Sequence, residues 1–279
     1  MKRQKFIKAY NNQKFLHSAD GRTVRMLCEY LEPLQRFRHE RVSNTIVFFG
    51  SSRTRPLQQT ESELHRIEEE LAASGERSHE DERRLNRAIN AVRLSRYYDE
   101  ATELAKMVTD WAQHRKNNSR YFVVCSGGGP GIMEAANRGA HHAGGKSVGL
   151  CISLPHEQQS NKFISPNLGF EFHYFFMRKY WFVYLAKALV IFPGGFGTLD
   201  ELFEVLTLVQ TEKVTKPLAI ILYGSEYWNN IINFDTMIEW GTISAEDLNL
   251  FHVCDSPDQA FKALVDILTD NENNHSLPG

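Results

Sequence analysis

Apolar residues along this chain fall into two patterns that take turns. Short continuous runs at 45–50 (TIVFFG), 121–126, 147–154, 188–192, 218–222 and 250–253 have the length of buried strands. Between them, apolar residues recur at helical spacing over 99–113, 132–143, 178–186, 199–210, 226–240 and 257–268. A further strand is predicted at 170–176, where Phe170, Phe172, Tyr174 and Phe176 alternate with Glu171, His173 and Phe175. Strands that are apolar throughout, each followed by a helix, predict a parallel sheet covered on both faces. In such a sheet the ligand lies beyond the carboxyl ends of the strands, where the strand order reverses.

Two stretches fall outside this alternation. Residues 1–43 are read as a basic helical extension, with Val24, Leu27, Leu31 and Leu34 at helical spacing. Residues 1–41 carry ten Lys or Arg against four Asp or Glu. A helix packed on the main domain or on a neighbouring subunit is preferred here over a contact with an anionic partner. Residues 55–96 are read as a helical insert after the first strand, because Leu64, Ile67 and Leu71, then Leu85, Ile89 and Val92, recur at helical spacing. Thr60 with Glu63 and Ser78 with Asp81 form candidate capping boxes, and Gly75 offers a stop between two helices. The hairpin's mixed charges are expected to form a solvated face. The fold class is therefore α/β, a doubly wound, Rossmann-like parallel sheet with helices on both faces, plus an N-terminal helical extension and an inserted helical hairpin.

Hydrophobic residues at 42% and charged residues at 24% lie near the globular average, which disfavours disorder and fibrous structure. A net charge of −2 argues against a protein that holds nucleic acid by neutralising phosphates over a broad surface. No apolar run approaches the roughly 20 residues of a membrane helix, and residues 1–10 lack the apolar core of a signal peptide. The expectation is a cytoplasmic protein without nucleic-acid or membrane partners. Cys28, Cys125, Cys151 and Cys254 show no Cys-x-x-Cys and no metal spacing, so no metal site is expected and the thiols read as small hydrophobes.

Three predicted strand ends are rich in glycine: Gly50-Ser51-Ser52-Arg53, Gly127-Gly128-Gly129-Pro130-Gly131 and Pro193-Gly194-Gly195-Phe196-Gly197-Thr198. Any one of them is as well explained by a tight turn, but together at one sheet edge they favour an anionic, nucleotide-like ligand held at a helix N-terminus. Neither the P-loop spacing nor Gly-x-Gly-x-x-Gly with an acidic ribose reader is present, so a triphosphate and a dinucleotide hydride carrier are disfavoured. The expected ligand is smaller and carries one phosphate. Gly50, Ser51, Gly128, Gly129, Gly194, Gly195, Phe196, Gly197 and Thr198 are its candidate contacts.

After the third loop come Asp200 and Glu201. Thr198 as N-cap with Glu201 three residues on would make a capping box, yet a second acid beside a bound phosphate suggests work on the sugar. Glu201 is read as catalytic and Asp200 as dipole compensation. Arg178 and Lys179 place two cations at a predicted helix start, against the macrodipole, which points to a ligand there; Arg178 is the firmer of the two. Thr207 faces either the ligand or its own helix backbone. His173 is read as structural, and Glu157 either meets a base or ribose hydroxyl or is a plain surface acid.

Pro193-Gly194-Gly195-Phe196-Gly197-Thr198-Leu199-Asp200-Glu201 resembles the PGGxGTxxE signature of the LOG ("lonely guy") family, and Met177-Arg178-Lys179 stands where its Arg-Lys pair is expected. Similarity extends from Thr45 to about Leu268, and the extension and hairpin look like those of longer bacterial members. The resemblance implies hydrolysis of the N-glycosidic bond of a nucleoside 5′-monophosphate, AMP or a cytokinin riboside monophosphate, without a cofactor. It implies that residues 194–198 cradle the phosphate, that Arg178 and Glu201 are the catalytic pair, and that Glu157, Lys179 and Thr207 contact substrate. Residues 44–279 would then form one nucleotide-binding domain, in a homo-oligomer, dimer or higher. Members are often labelled lysine decarboxylase, but nothing here marks a Schiff-base lysine. Glu134, where short members carry a small residue, and the long insert set the chain apart from the plant-like type. A carrier of a phosphorylated pterin such as molybdenum cofactor, or a nucleotide sensor, is the alternative on the same scaffold.

Overall fold

In the computed structural model, residues 6–74, 78–115, 122–154 and 159–274 are described. A 3-10 turn Ala9–Asn11 and the short helix α1 (Gln13–Leu16) lead into α2 (Arg22–His39) and the first strand, β1 (Asn44–Phe49). Helices α3 (Leu57–Ser74) and α4 (His79–His114) form the insert. Then come β2 (Phe122–Ser126), α5 (Ile132–His142), β3 (Ser147–Ile152), β4 (Gly169–Phe172), α6 (Phe175–Tyr184) and β5 (Ala186–Ile191). There follow α7 (Phe196–Gln210), β6 (Ala219–Tyr223), α8 (Ser225–Ile231), α9 (Phe234–Glu239), β7 (His252–Cys254) and α10 (Pro257–Asn274).

The seven strands form one sheet in the order β4-β3-β2-β1-β5-β6-β7, with every pairing parallel. The chain starts at the centre, winds outward to β4 and returns to β5 on the other side of β1, so the order reverses between β1 and β5. All six residues of β1 are buried, which is why the strand reads as an unbroken apolar run. Its side chains still alternate: Ile46 and Phe48 join Tyr98, Leu104 and Ala135 on the face covered by α4, α5 and α10, while Val47 and Phe49 join Phe37, Trp181 and Leu202 on the other.

Several boundaries differ from those the pattern predicts. The second hairpin helix and the helix over 99–113 are one helix, α4, because nothing between Arg96 and Asp99 interrupts its backbone bonding. The Ser78 box forms: Asp81 N donates to Ser78 Oγ at 3.2 Å and Ser78 N donates to Asp81 Oδ2 at 3.0 Å. The Thr60 box does not, since α3 already begins at Leu57 and Thr60 Oγ1 donates to Leu57 O at 2.9 Å. Gly75 and Tyr121 lie outside the described residues. The aromatic run 170–176 is a strand only to Phe172; Phe175 and Phe176 open α6. The predicted helix 226–240 breaks into α8 and α9, where Asn233 accepts a capping bond from Thr236 N. The hairpin packs through Ile67, Leu71 and Ala88, and ion pairs such as Arg66 with Glu63 and Glu70 cover its outside.

Helix α2 docks through Phe37 and Tyr30, with rings stacked or tilted against Phe170 and Trp181. It also supplies an anion to the start of α6: His173 N and Tyr174 N donate to Glu29 Oε1 and Oε2 at 2.8 and 3.2 Å. Of the predicted stripe, Leu34 packs on the domain core, whereas Val24, Leu27 and Leu31 are exposed. Among the described residues no helix is long and apolar enough to cross a membrane.

Candidate functional site

The carboxyl ends of β1, β2 and β5 open into a cleft of about 880 Å³. All three glycine loops line it, including Gly50, Ser51, Gly128, Gly129 and Gly194 through Thr198. Ser51 N donates to Pro193 O at 2.9 Å, so the first and third loops are stitched together across the point where the strand order reverses. Space is tight there. A Cβ on Gly194 would strike Thr198 Oγ1 and come within 3.0 Å of Ser51 N, so only glycine fits. By contrast, nothing lies within 4 Å of where a Cβ on Gly195 or Gly197 would stand. These two positions face open space, with the N-terminus of α7 behind them, and Phe196 between them is 92% exposed.

Where α7 starts decides between the two readings of Glu201. Gly195 occupies the N-cap, with no side-chain cap bond, and the helix begins at Phe196. Thr198 is thus a buried third residue of the helix and not its cap, and the capping box expected between Thr198 and Glu201 does not form. Glu201 lines the cleft instead. It is 6% exposed, and its Oε2 has no hydrogen-bond partner among the described residues. Burial pushes its carboxyl up to about 7, against the opposing pull of Lys179 and Arg178.

Arg178 also lines the cleft and attracts the Glu201 carboxylate. Its Nε donates to Leu150 O at 2.7 Å, and its guanidinium lies 5.0 Å over the Phe182 ring. Burial lowers its pKa, while Glu201 opposes that shift. Both cations stand one turn into α6 rather than at its start, which corrects the helix-terminus argument: the chain turns helical at Phe175. Lys179 does not line the cleft; its Nζ contacts Asp200 Oδ2 at 2.8 Å and Glu204 Oε2 at 2.5 Å. Asp200 is therefore a partner of Lys179 as well as an acid near the helix start.

Thr207 is exposed, lies off the cleft and donates from Oγ1 to Phe203 O at 2.7 Å, the helix back-bond. Glu157 lies outside the described residues. His173 is exposed and joins the structure through its backbone N. Cys151 is at the cleft wall with its thiol pushed up to about 11 by burial, and Cys125 is buried, so neither is a ready nucleophile. Among the described residues no group of His, Cys, Asp or Glu is placed to hold a metal ion.

A buried polar network behind the second loop has no counterpart among the residues singled out in the sequence. Ser126 Oγ donates to Asn137 Oδ1 at 2.7 Å and accepts from Gly128 N at 3.1 Å. Asn137 Nδ2 donates to Val148 O at 3.1 Å, and Asn161 Nδ2 reaches Asn137 Oδ1 and the carbonyls of Gly128 and Gly129. Tyr227, on α8, donates from its hydroxyl to Gly194 O at 2.6 Å and steadies the third loop.

Residues 133–264 match the family model described as "Possible lysine decarboxylase". The resemblance to the LOG family holds. A probable cytokinin riboside 5′-monophosphate phosphoribohydrolase of Oryza sativa subsp. japonica is 28% identical over 147 residues, 52% of this chain and 62% of the relative. A cytokinin riboside 5′-monophosphate phosphoribohydrolase of Arabidopsis thaliana is 30% identical over 128 residues, 45% of this chain and 57% of the relative. The chain thus spans about three-fifths of the length of these LOG relatives. A molybdenum cofactor carrier protein from Chlamydomonas reinhardtii is similar over 81% of this chain and 99% of its own, at 16% identity and a TM-score of 0.42.

Proposed function

We infer that the protein is a nucleoside 5′-monophosphate phosphoribohydrolase, which cleaves AMP or a cytokinin riboside 5′-monophosphate to free base and ribose 5-phosphate. One observation carries this reading: Glu201 is buried in the cleft with an oxygen that has no partner among the described residues, beside Arg178 and behind a glycine cradle at a helix N-terminus. A carrier needs the cradle but has no use for a carboxylate kept dry at that position.

In this account the 5′-phosphate rests on the backbone N–H groups of residues 194–198, where the dipole of α7 favours negative charge. The ribose then lies toward Glu201. As the bond from C1′ to the base nitrogen breaks, its electron pair leaves with the base and positive charge builds on the ribose. The ionised Glu201 stabilises that charge at short range in a site poor in water. Water adds its hydroxyl to C1′, and its proton balances the departing base. Arg178 attracts the carboxylate and favours its ionised form. Lys179 acts from behind by binding Asp200 and Glu204, whose charges otherwise oppose that ionisation.

A second copy of this chain is proposed to cover the apolar face where α2, α6 and α7 adjoin. Leu27 and Leu31 on α2, Phe176 and Tyr184 on α6 and Phe203 on α7 are exposed there, and α6 carries Arg178. Sedimentation is expected to give a dimer or larger, with Leu31→Glu shifting it toward monomer; a monomeric wild type would contradict this. The setting proposed is the cytoplasm, where nucleoside monophosphates are formed.

The reading is tested by incubating the purified protein with AMP and with isopentenyladenosine monophosphate and separating the products by chromatography. Free base from either is expected. Saturable binding without base release would instead support the carrier or sensor reading.

A further inference from the structure

Among the described residues, Arg178, Lys179 and Arg55 stand at or beside the cleft and are already engaged. Arg178 is held by Leu150 O and faces Glu201. Lys179 is shared by Asp200 and Glu204. Arg55 spends its Nη1 on the carbonyls of Ser52 and Thr54, at 2.8 and 2.7 Å. Arg53 differs: it lines the cleft, its side chain is exposed, and it makes no side-chain hydrogen bond or ion pair among the described residues.

Its backbone is nonetheless fixed. Arg53 N donates to Ser51 Oγ at 3.1 Å, and Ser51 N donates to Pro193 O, so the Arg53 turn moves with the third glycine loop. That loop offers only neutral N–H groups to a ligand, and the charges nearest to it on α7 are those of Asp200 and Glu201. A phosphate monoester, which carries close to two negative charges at pH 7, needs a cation to offset them. The planar fork of arginine matches phosphate oxygens with two parallel bonds, which a point charge does not.

The geometry points to Arg53 as the residue that reads the 5′-phosphate and sets the preference for a phosphorylated ribose over the plain nucleoside. This rests on the phosphoribohydrolase reading for its substrate, but the cation and the cradle define the ligand chemistry, a phosphate monoester, on their own.

The test compares the full-length wild type with Arg53→Gln and Arg53→Lys. Ribose 5-phosphate binding is measured by titration calorimetry, and kcat/KM is measured for AMP and for adenosine. Arg53→Gln is expected to weaken ribose 5-phosphate binding by about 10- to 100-fold and to lower the AMP-over-adenosine preference by a similar factor, the range for losing a hydrogen bond to a charged group. Arg53→Lys is expected to recover part of both. Equal ribose 5-phosphate affinity in wild type and a folded Arg53→Gln overturns the assignment, as does an unchanged AMP-over-adenosine ratio. If wild type releases no base from AMP, the hydrolase reading falls while calorimetry still decides the role of Arg53.

Discussion

Gly127 leaves the room that Arg178 occupies: a Cβ on Gly127 would lie 2.5 Å from Arg178 Nη2 and 2.6 Å from Met133 Sδ. The second glycine loop therefore shapes the site by what it lacks, letting a guanidinium from a different element lie against the backbone. Gly127→Ala is expected to displace the Arg178 guanidinium, and with it the positive charge that acts on Glu201, without disturbing the sheet. The expected result is a loss of about 10- to 100-fold in kcat/KM, on the scale that misplacing a catalytic group produces. Steady-state kinetics with a thermal melt checks this, and full activity in the variant would show that the contact is not needed.

The rate should depend on pH through Glu201. Its carboxyl is pushed up to about 7 by burial, and the ionised form is the one that stabilises ribose charge. The kcat/KM for AMP is expected to rise with pH and level off above about 7. Arg178 pulls that value down, so Arg178→Gln should move the rising limb to higher pH as well as lower the plateau. A profile flat between about pH 5 and 8 would contradict the assignment.

Stability should carry the same signature. The folded protein holds the Glu201 proton up to about pH 7, whereas an unfolded glutamate releases it near 4.3. Between those values the native state binds more protons than the unfolded state, so this group's contribution to stability declines as pH rises and then stays constant. Glu201→Gln removes that dependence. Urea midpoints at pH 5 and pH 8 should show the variant gaining on wild type by on the order of 3 kcal/mol. A difference that does not change with pH would mean the carboxyl is not perturbed.

Behind the second loop, Asn137 joins Ser126, Val148 and Asn161, all of them buried. Asn137→Leu leaves the hydroxyl of Ser126 and the amide of Asn161 without their shared acceptor. The expected loss is about 2–4 kcal/mol, the cost of buried polar groups left unpaired. Chemical denaturation measures it, and a change under about 0.5 kcal/mol would show that water replaces the lost bonds.

Much of this was legible in the sequence because it rests on local pattern. Unbroken apolar runs such as 45–50 gave the buried parallel strands, and three glycine-rich strand ends gave the edge where the cleft opens. Helix starts were not legible, because they depend on partners far along the chain. Glu29 meets the backbone N–H groups just ahead of α6, so the helix begins at Phe175 although two aromatic residues there continue a strand-like alternation. Gly195 takes the N-cap that Thr198 was expected to fill, and this exchange frees Glu201 from capping. The Ser126, Asn137 and Asn161 network was hidden for the same reason: each residue is ordinary alone, and only folding brings them together.

The most direct test is base release from AMP by wild type beside Glu201→Gln, with both proteins verified as folded by their melts. The account predicts free adenine and ribose 5-phosphate in equal amounts from wild type, and a rate lower by about 100- to 1000-fold in the variant, the scale of removing one group that stabilises transition-state charge. Adenine released equally well by the folded variant would contradict the role given to Glu201, and none released by wild type would contradict the function itself.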